Sequence, residues 1–234
     1  MILPLDVKQL NGPGLFSARS TLGSDISLIF AVIFILSFIL AGQLATGKKG
    51  VRHHRTILFS MALMITYLGY YYKIRQMGLS SAADQMHFKG PAWFYGAIFR
   101  PLLYLHITLV ASTLYLSFYM LINGFIAKFP LDDGNMTLKT GIVKTSWTLW
   151  GIGIAWFAFL LWKLAPSQNL DITHKAIIFT LGFFLPAGVS LLIHKTLPKA
   201  DQRHRTVGRI TMILFSLMLV TTTVTYYLIY IARY

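Results

Sequence analysis

Six long apolar segments, separated by short basic stretches, constrain the fold of this chain more than any other feature. A helix needs about 20 residues to cross the hydrocarbon core of a bilayer, and its backbone polar groups must pair within the segment there. The alternating pattern of a transmembrane barrel is absent. We therefore predict an all-α, polytopic membrane helical bundle of about six transmembrane helices. The segments are expected at about 26–46, 56–74, 101–127, 145–162, 173–194 and 207–232.

Composition supports a membrane protein and argues against nucleic acid as a partner. The chain of 234 residues is 56% hydrophobic and only 12% charged, whereas a soluble domain has about 25% charged residues. The net charge is +14, but the basic residues lie between the apolar segments, where they face anionic head groups. We expect membrane lipid as a partner and no nucleic acid.

The basic residues also predict the orientation of the chain. Twelve of the 21 Lys and Arg residues fall in the stretches 47–55, 128–144 and 195–209. By the positive-inside rule these stretches face the cytoplasm, which places both termini outside. The predicted organisation is an N-terminal surface arm at 1–25, transmembrane helices one to three at 26–127, an inner loop at 128–144, and helices four to six at 145–234.

Several functional classes are excluded by residue types that the chain lacks. It has no cysteine, so disulfides, iron–sulfur clusters and thiolate metal sites are ruled out. All seven acids are Asp, and none is expected inside an apolar segment. Without buried acids, a carboxylate proton relay or a carboxylate-bridged di-iron centre is not expected. No nucleophile with a base, Gly-rich phosphate loop or Walker lysine is present, so we expect no catalytic activity of its own.

Two His-Arg pairs stand at the start of apolar segments, within the stretches RHHRT (52–56) and RHRT (203–206). Imidazole is a common axial ligand of haem iron, and a guanidinium group binds a carboxylate such as a haem propionate in a bidentate manner. His54 with Arg55, and His204 with Arg205, are therefore candidates for haem binding. Histidine also binds copper or zinc. Alternatively, these residues simply extend the basic inner surface.

His106 is expected within the membrane, in the outer half of helix three. It follows Arg100 by six residues, about 9 Å along a helix. Intramembrane ionisable residues are candidates for function, but hydrogen bonding to a neighbouring helix also explains a lone histidine. The helical face of His106 carries small or mildly polar residues, namely Val110, Thr113, Ser117, Met120 and Gly124.

The candidate metal ligands are His54, His106, His204 and His174. His174 and His87 are both expected on the outer side, where either could join His106 in a second site. Copper handling would add thioether ligands, for which the candidates are Met61, Met64, Met120 and Met212.

The chain resembles the membrane family known as domain of unknown function 420, which includes cytochrome oxidase maturation proteins. The family has a His-Arg pair opening its second helix, an Arg-Pro…Tyr…His-Ile-x-Leu segment in its third, and a His-Arg pair opening its last. These motifs are matched here by His54-Arg55, by FRPLLYLHITLVAS (99–112) with His106, and by His204-Arg205.

The resemblance covers roughly 26–125 and 175–234. Family members usually have four helices, so this chain carries two extra ones, and Tyr71 stands about where the family has another histidine. The resemblance implies a haem-associated protein of the respiratory chain, in the inner (cytoplasmic) membrane of a prokaryotic cell. It would be an accessory or maturation factor for a haem-copper oxidase, with subunits of respiratory membrane complexes as partners.

Three other functions remain open on sequence grounds. The chain could be a b-type cytochrome-like electron-transfer subunit, which would use the same histidines and a reversible redox couple. It could handle copper through histidine and methionine. It could also be a cofactor-free structural subunit of a larger membrane complex.

Overall fold

The structure is a computed structural model, and four of its helices are long and apolar enough to cross a membrane. These spans are Leu22–Thr46, Gly50–Ile74, Ala92–Ala127 and Ala200–Ile231. The chain is therefore a helical membrane protein. The predicted fourth segment and the start of the fifth lie largely outside the residues that the structure describes. Described are residues 7–47, 49–76, 88, 90–131, 136–138, 140–141, 151, 153–155, 158, 173, 176–177 and 180–233.

The elements whose bounds the structure describes are seven α-helices, three π-helical turns and one short β-hairpin, and residues 151, 153–155, 158, 173 and 176–177 are also helical. The α-helices are α1 (Val7–Leu10), α2 (Leu22–Thr46), α3 (Gly50–Gln76), α4 (Ala92–Phe94), α5 (Arg100–Ala127), α6 (Leu185–Thr196) and α7 (Ala200–Tyr226). The π-turns are Tyr95–Phe99, Thr180–Phe184 and Tyr227–Ile231. The strands β1 (Lys128–Pro130) and β2 (Met136–Leu138) pair antiparallel, with Phe129 opposite Thr137.

The hairpin lies in the predicted inner loop 128–144, so the described chain is not purely helical. Most spans also begin earlier than predicted, because polar and basic residues continue each helix beyond its apolar part. Helix α3 begins at Gly50 rather than at 56, and α7 begins at Ala200 rather than at 207. Both His-Arg pairs therefore lie inside helices, as the fifth and sixth residues of α3 and of α7, rather than immediately before them.

Two prolines near the starts of α5 and α6 are each preceded by a π-turn. Proline has no backbone N–H, so a carbonyl one turn earlier loses its usual donor. In a π-turn the bonding shifts to i→i+5, and the Arg100 N–H donates to the Tyr95 carbonyl. This rearrangement keeps the third span helical through Pro101, from 92 to 127. The prediction that the span starts at Pro101 was wrong for this reason.

The core lies where α2, α5 and α7 meet, with α3 packed on the outside of α2. Phe38 of α2 stacks on Phe215 of α7 with ring centroids 4.5 Å apart. Helix α6 joins the bundle through α5, where the Tyr115 hydroxyl lies 3.1 Å from the Ser190 hydroxyl. Large apolar side chains cover the outward faces of the spans, as expected for surfaces in contact with lipid; examples are Leu36, Leu40, Ile65, Ile213 and Leu217.

Asp25 contradicts the expectation that the chain has no buried acid. It lies in the first turn of α2 and its side chain is fully buried, with 0% exposure. One carboxylate oxygen accepts hydrogen bonds from the backbone N–H groups of Leu15 and Phe16 and from the Ser20 hydroxyl. The other accepts from the Tyr226 hydroxyl of α7. The carboxylate therefore joins the start of the first span to the end of the last.

Residues 11–21, here called the arm, cover the C-terminal end of the last span, where the π-turn Tyr227–Ile231 follows α7. The Ser17 hydroxyl donates to the Tyr230 carbonyl at 2.7 Å, and the Arg19 guanidinium donates to the Ala232 carbonyl at 2.9 Å. The last carbonyls of a helix have no partner within the helix, so the arm supplies the missing donors. We call this end of the bundle the arm end.

We expect Asp25→Ala to destabilise the protein by roughly 3 kcal/mol, because several buried donors lose their acceptor. Tyr226→Phe should cost only about 1 kcal/mol, because it removes one donor and leaves the others bonded. Thermal or denaturant unfolding of the purified protein in detergent measures both effects. Ser37→Ala is the control, since its hydroxyl donates to Phe34 within α2. Equal stability of Asp25→Ala and the control would contradict the assignment.

Two glycines in neighbouring turns should respond in opposite ways to substitution by alanine. A methyl group at Gly182 would lie 2.6 Å from the Ala111 Cβ of α5, so Gly182→Ala should cost about 2 kcal/mol through overpacking. At Gly188 no described atom lies within 4 Å of the added methyl. Gly188→Ala should therefore stabilise α6 by about 0.5–1 kcal/mol. Unfolding measurements on the two variants check the sign of each change.

Candidate functional site

Four helix ends meet at the end of the bundle opposite the arm, and they carry His54 and His204 of the histidines singled out above. These are the C-terminal ends of α2 and α5 and the N-terminal ends of α3 and α7. The His53 ring of α3 lies against the His204 ring of α7, with centroids 6.4 Å apart and planes at 88°. We call this region the basic end, because the described stretches 49–55 and 195–209 supply its Lys and Arg residues.

His53 is held by a hydrogen bond to the neighbouring helix. Its Nδ1 lies 2.7 Å from the backbone carbonyl oxygen of Ala41, in α2. A carbonyl can only accept, so Nδ1 carries the proton of the neutral ring and Nε2 keeps its lone pair. This is the arrangement that orients a metal-binding imidazole.

His204 lies in a notch on α5 that a side chain would fill. A methyl group at Gly124 would stand 3.3 Å from the Cε1 atom of His204. One turn further along α7, a methyl group at Gly208 would lie 3.2 Å from the Met120 side chain. The two helices therefore approach closely around the ring. The Nδ1 atom of His204 is buried and has no hydrogen-bond partner among the described residues.

The arginines divide into buried and exposed groups. Arg55 and Arg205, the predicted propionate partners, are exposed at the basic end. Arg203 is only 2% exposed, and its guanidinium donates to the Nδ1 atom of His194 in α6 at 2.7 Å. The Arg203–His194 bond thus joins α6 to α7 within the bundle.

Sequence reasoning missed His53 and Arg203, although helical periodicity contained a signal for Arg203. It begins a buried stripe on α7 that continues through Val207, Thr211 and Phe215 at intervals of four residues. Residues at this spacing share one helix face, so the pattern predicts that Arg203 points into the bundle with the others. The adjacent residues His53 and His54 are rotated by about 100° from each other about the axis of α3. The sequence alone did not indicate which of the two faces α7.

His54 lies beside the pair rather than within it. Its ring packs edge-on against Phe125 of α5 with centroids 5.0 Å apart, and the Lys128 ammonium lies 5.1 Å from the same phenyl ring. The described contacts therefore place His53, and not its neighbour, against His204.

His106 lies far from the basic end. Its Nδ1 is 3.0 Å from the Thr221 hydroxyl oxygen on α7, and that hydroxyl donates to the Met218 carbonyl. The hydrogen bond corresponds to the interpretation of His106 as a packing residue bonded to a neighbouring helix. Gly124 is eighteen residues further along α5, about 27 Å away. His87 and His174, the expected outer partners of His106, lie outside the described residues.

The remaining metal candidates form no cluster in the part of the chain that the structure describes. There, no group of three or more His or Asp side chains is placed to hold a metal ion. Met61 and Met64 are buried in the apolar core, and Met120 and Met212 pack against it. Their thioethers fill space in the core, as methionine commonly does.

Comparison with protein families, with curated proteins and with solved structures gives no match for this chain.

We expect Arg203→Gln to lower the free energy of unfolding by about 2 kcal/mol, because the buried guanidinium and its charge-assisted hydrogen bond to the half-buried His194 are lost. Arg205→Gln is the matched control two residues away, and its effect should stay within about 0.5 kcal/mol because the side chain is exposed. Denaturant unfolding of the two variants measures the difference. Equal effects would show that the Arg203–His194 bond does not stabilise the bundle.

Proposed function

We propose that this chain is a haem-associated integral membrane protein of a prokaryotic respiratory chain, and that the pair His53–His204 holds the haem. It would serve as an accessory or maturation factor for a haem-copper oxidase. The observation that carries the haem assignment is the spacing of the two rings at the basic end.

That spacing brings two imidazoles from different helices to one place. Their centroids are 6.4 Å apart and their planes stand at 88°, which is within the ordinary range of an edge-to-face ring pair. His53 and His204 would be the residues that hold the haem, since imidazole is a common ligand of haem iron.

The nitrogen atoms of the pair support the same assignment. The Ala41 carbonyl occupies the Nδ1 atom of His53 and leaves Nε2 for a metal. The Nδ1 atom of His204 has no hydrogen bond in the described structure; when Nδ1 carries the proton of the neutral ring, Nε2 keeps its lone pair for a metal. Exposed guanidinium groups close by, those of Arg52, Arg55 and Arg205, suit the propionates of a haem at the membrane surface. When bound, the haem would supply a one-electron iron couple.

The respiratory part of the proposal rests on the resemblance to the oxidase maturation family. The motifs behind it are the two His-Arg pairs and the helix-three segment that contains His106. In this proposal the protein lies in the inner membrane with the basic end at the cytoplasmic surface and both termini outside. Subunits of respiratory complexes would be its partners.

One alternative draws support from the same pair. A haem held by His53 and His204 would supply a one-electron iron couple, which suits electron transfer as well as haem carriage. A b-type cytochrome-like subunit would hold its haem permanently and in full amount. A carrier would hold it in less than full amount and release it to an acceptor protein.

We expect the detergent-purified protein to show a Soret band and, after reduction with dithionite, sharp α and β bands. His53→Ala and His204→Ala should each lower the haem content at least about tenfold, because each removes an iron ligand. His54→Ala and His106→Ala should retain most of the haem. Pyridine haemochrome assay, with metal analysis of the same samples, measures these contents.

The matched pair His53→Ala and His54→Ala is decisive, since the two residues are neighbours in one helix turn. If only His54→Ala loses its haem, the haem ligand on α3 is His54 rather than His53. A colourless protein that carries copper would replace the proposal with copper handling. A colourless, metal-free protein that co-purifies with an oxidase would favour a structural subunit.

A further inference from the structure

Two buried polar atoms at the basic end have no hydrogen-bond partner in the described part of the chain. They are the Nδ1 atom of His204 and the Oδ1 atom of Asp201. Buried side-chain polar atoms nearly always have a partner. Two such exceptions in the first turns of one helix therefore call for a common explanation.

The two side chains are neighbours on α7. Asp201 and His204 are three residues apart, so they lie on the same side of the helix within about 5–6 Å between Cβ atoms. Side chains on a helix generally lean toward its N-terminus, which is the direction in which Asp201 lies from His204. In the structure the two atoms are not bonded to each other, so a hydrogen bond between them would form by rotation about side-chain bonds.

Their chemistry is complementary as well. A metal-binding histidine nearly always donates its other ring N–H to a carboxylate, a carbonyl or water. His53 already has such an acceptor in the Ala41 carbonyl. His204 has none among the described residues, and Asp201 has a carboxylate oxygen to offer.

We infer that Asp201 is the positioning residue of His204, and that its carboxylate accepts the Nδ1 hydrogen when Nε2 binds the haem iron. This inference rests on the proposed function. It would make the two haem-binding histidines unequal, because His53 donates to a neutral carbonyl and His204 would donate to an anion. Hydrogen bonding to an anion makes an imidazole a stronger electron donor, which favours ferric over ferrous iron and lowers the reduction potential.

A simpler role for Asp201 is that it only supplies negative charge. It lies in the first turn of α7, where an acid interacts favourably with the helix dipole. In that role, removing the charge would change the reduction potential of the haem but would leave the electronic structure of the His204–iron bond unchanged. A control variant that changes the net charge by the same amount at a neighbouring residue separates the two roles.

The experiment compares the haem-loaded wild type with Asp201→Asn, Asp201→Glu and Gln202→Lys. Asn removes the negative charge and weakens the acceptor, while Glu keeps a carboxylate. Gln202→Lys changes the net charge by the same amount at the adjacent exposed position. The readouts are the reduction potential from spectroelectrochemical titration and the EPR g-values of the low-spin ferric haem, with haem content recorded for each variant.

We expect Asp201→Asn to raise the potential and to shift the g-values, and Asp201→Glu to restore both toward the wild type. Gln202→Lys should leave the g-values unchanged. An Asp201→Asn variant with wild-type potential and g-values would overturn the inference, as would a potential shift that Gln202→Lys reproduces without a change in g-values. In both cases the haem assignment stands, whereas a wild type that binds no haem removes the proposed function together with this inference.

Discussion

A buried carboxylate fixes the geometry on which the rest of the bundle depends. Asp25 accepts hydrogen bonds from the arm and from Tyr226, so the first and last spans cannot separate at the arm end. A charge at this position would cost several kcal/mol without partners, and the partners are available only in one relative position of α2 and α7. The hydrogen bonds therefore specify a register between two helices whose apolar faces alone would allow sliding.

The two ends of the bundle bond their charged groups differently. At the arm end the Asp25 carboxylate accepts four hydrogen bonds, and the Tyr230 and Ala232 carbonyls accept from Ser17 and Arg19. At the basic end His204 and Asp201 each keep a buried atom without a partner in the described chain, as does the Thr225 hydroxyl near the arm end. Unpaired polar atoms alone therefore do not single out the basic end, and the candidate site rests on the contact between the His53 and His204 rings as well.

The sequence predicted the existence of the helices well, because apolar length is a strong signal for a membrane span. It predicted their starts poorly. Basic residues such as Arg52 and Arg205 continue a helix once its apolar part is anchored, and Pro101 is accommodated by a π-turn. Neither effect leaves a trace in hydropathy.

How far the sequence could indicate the candidate site has a physical limit. RHHRT and RHRT indicated the N-terminal ends of α3 and α7, where the structure brings the His53 and His204 rings together. The choice between His53 and His54 depends on the rotation of α3, which is set by contacts with α2 and α7 that the sequence does not reveal. The burial of Asp25 was beyond prediction for a similar reason, since its partner Tyr226 is 201 residues away in the chain.

The π-turns also bear on how the length of this chain can change. A π-turn contains one residue more than the α-helical turn that would replace it. Deleting a single residue from Tyr95–Phe99 or Thr180–Phe184 would keep the helix faces on either side in register, whereas the same deletion in an α-helical segment would rotate everything beyond it by about 100°. The proline that follows would then lie in a regular α-helical turn, where its ring crowds the carbonyl one turn earlier. A one-residue deletion at these two turns therefore preserves the packing faces of the bundle at a local cost in stability.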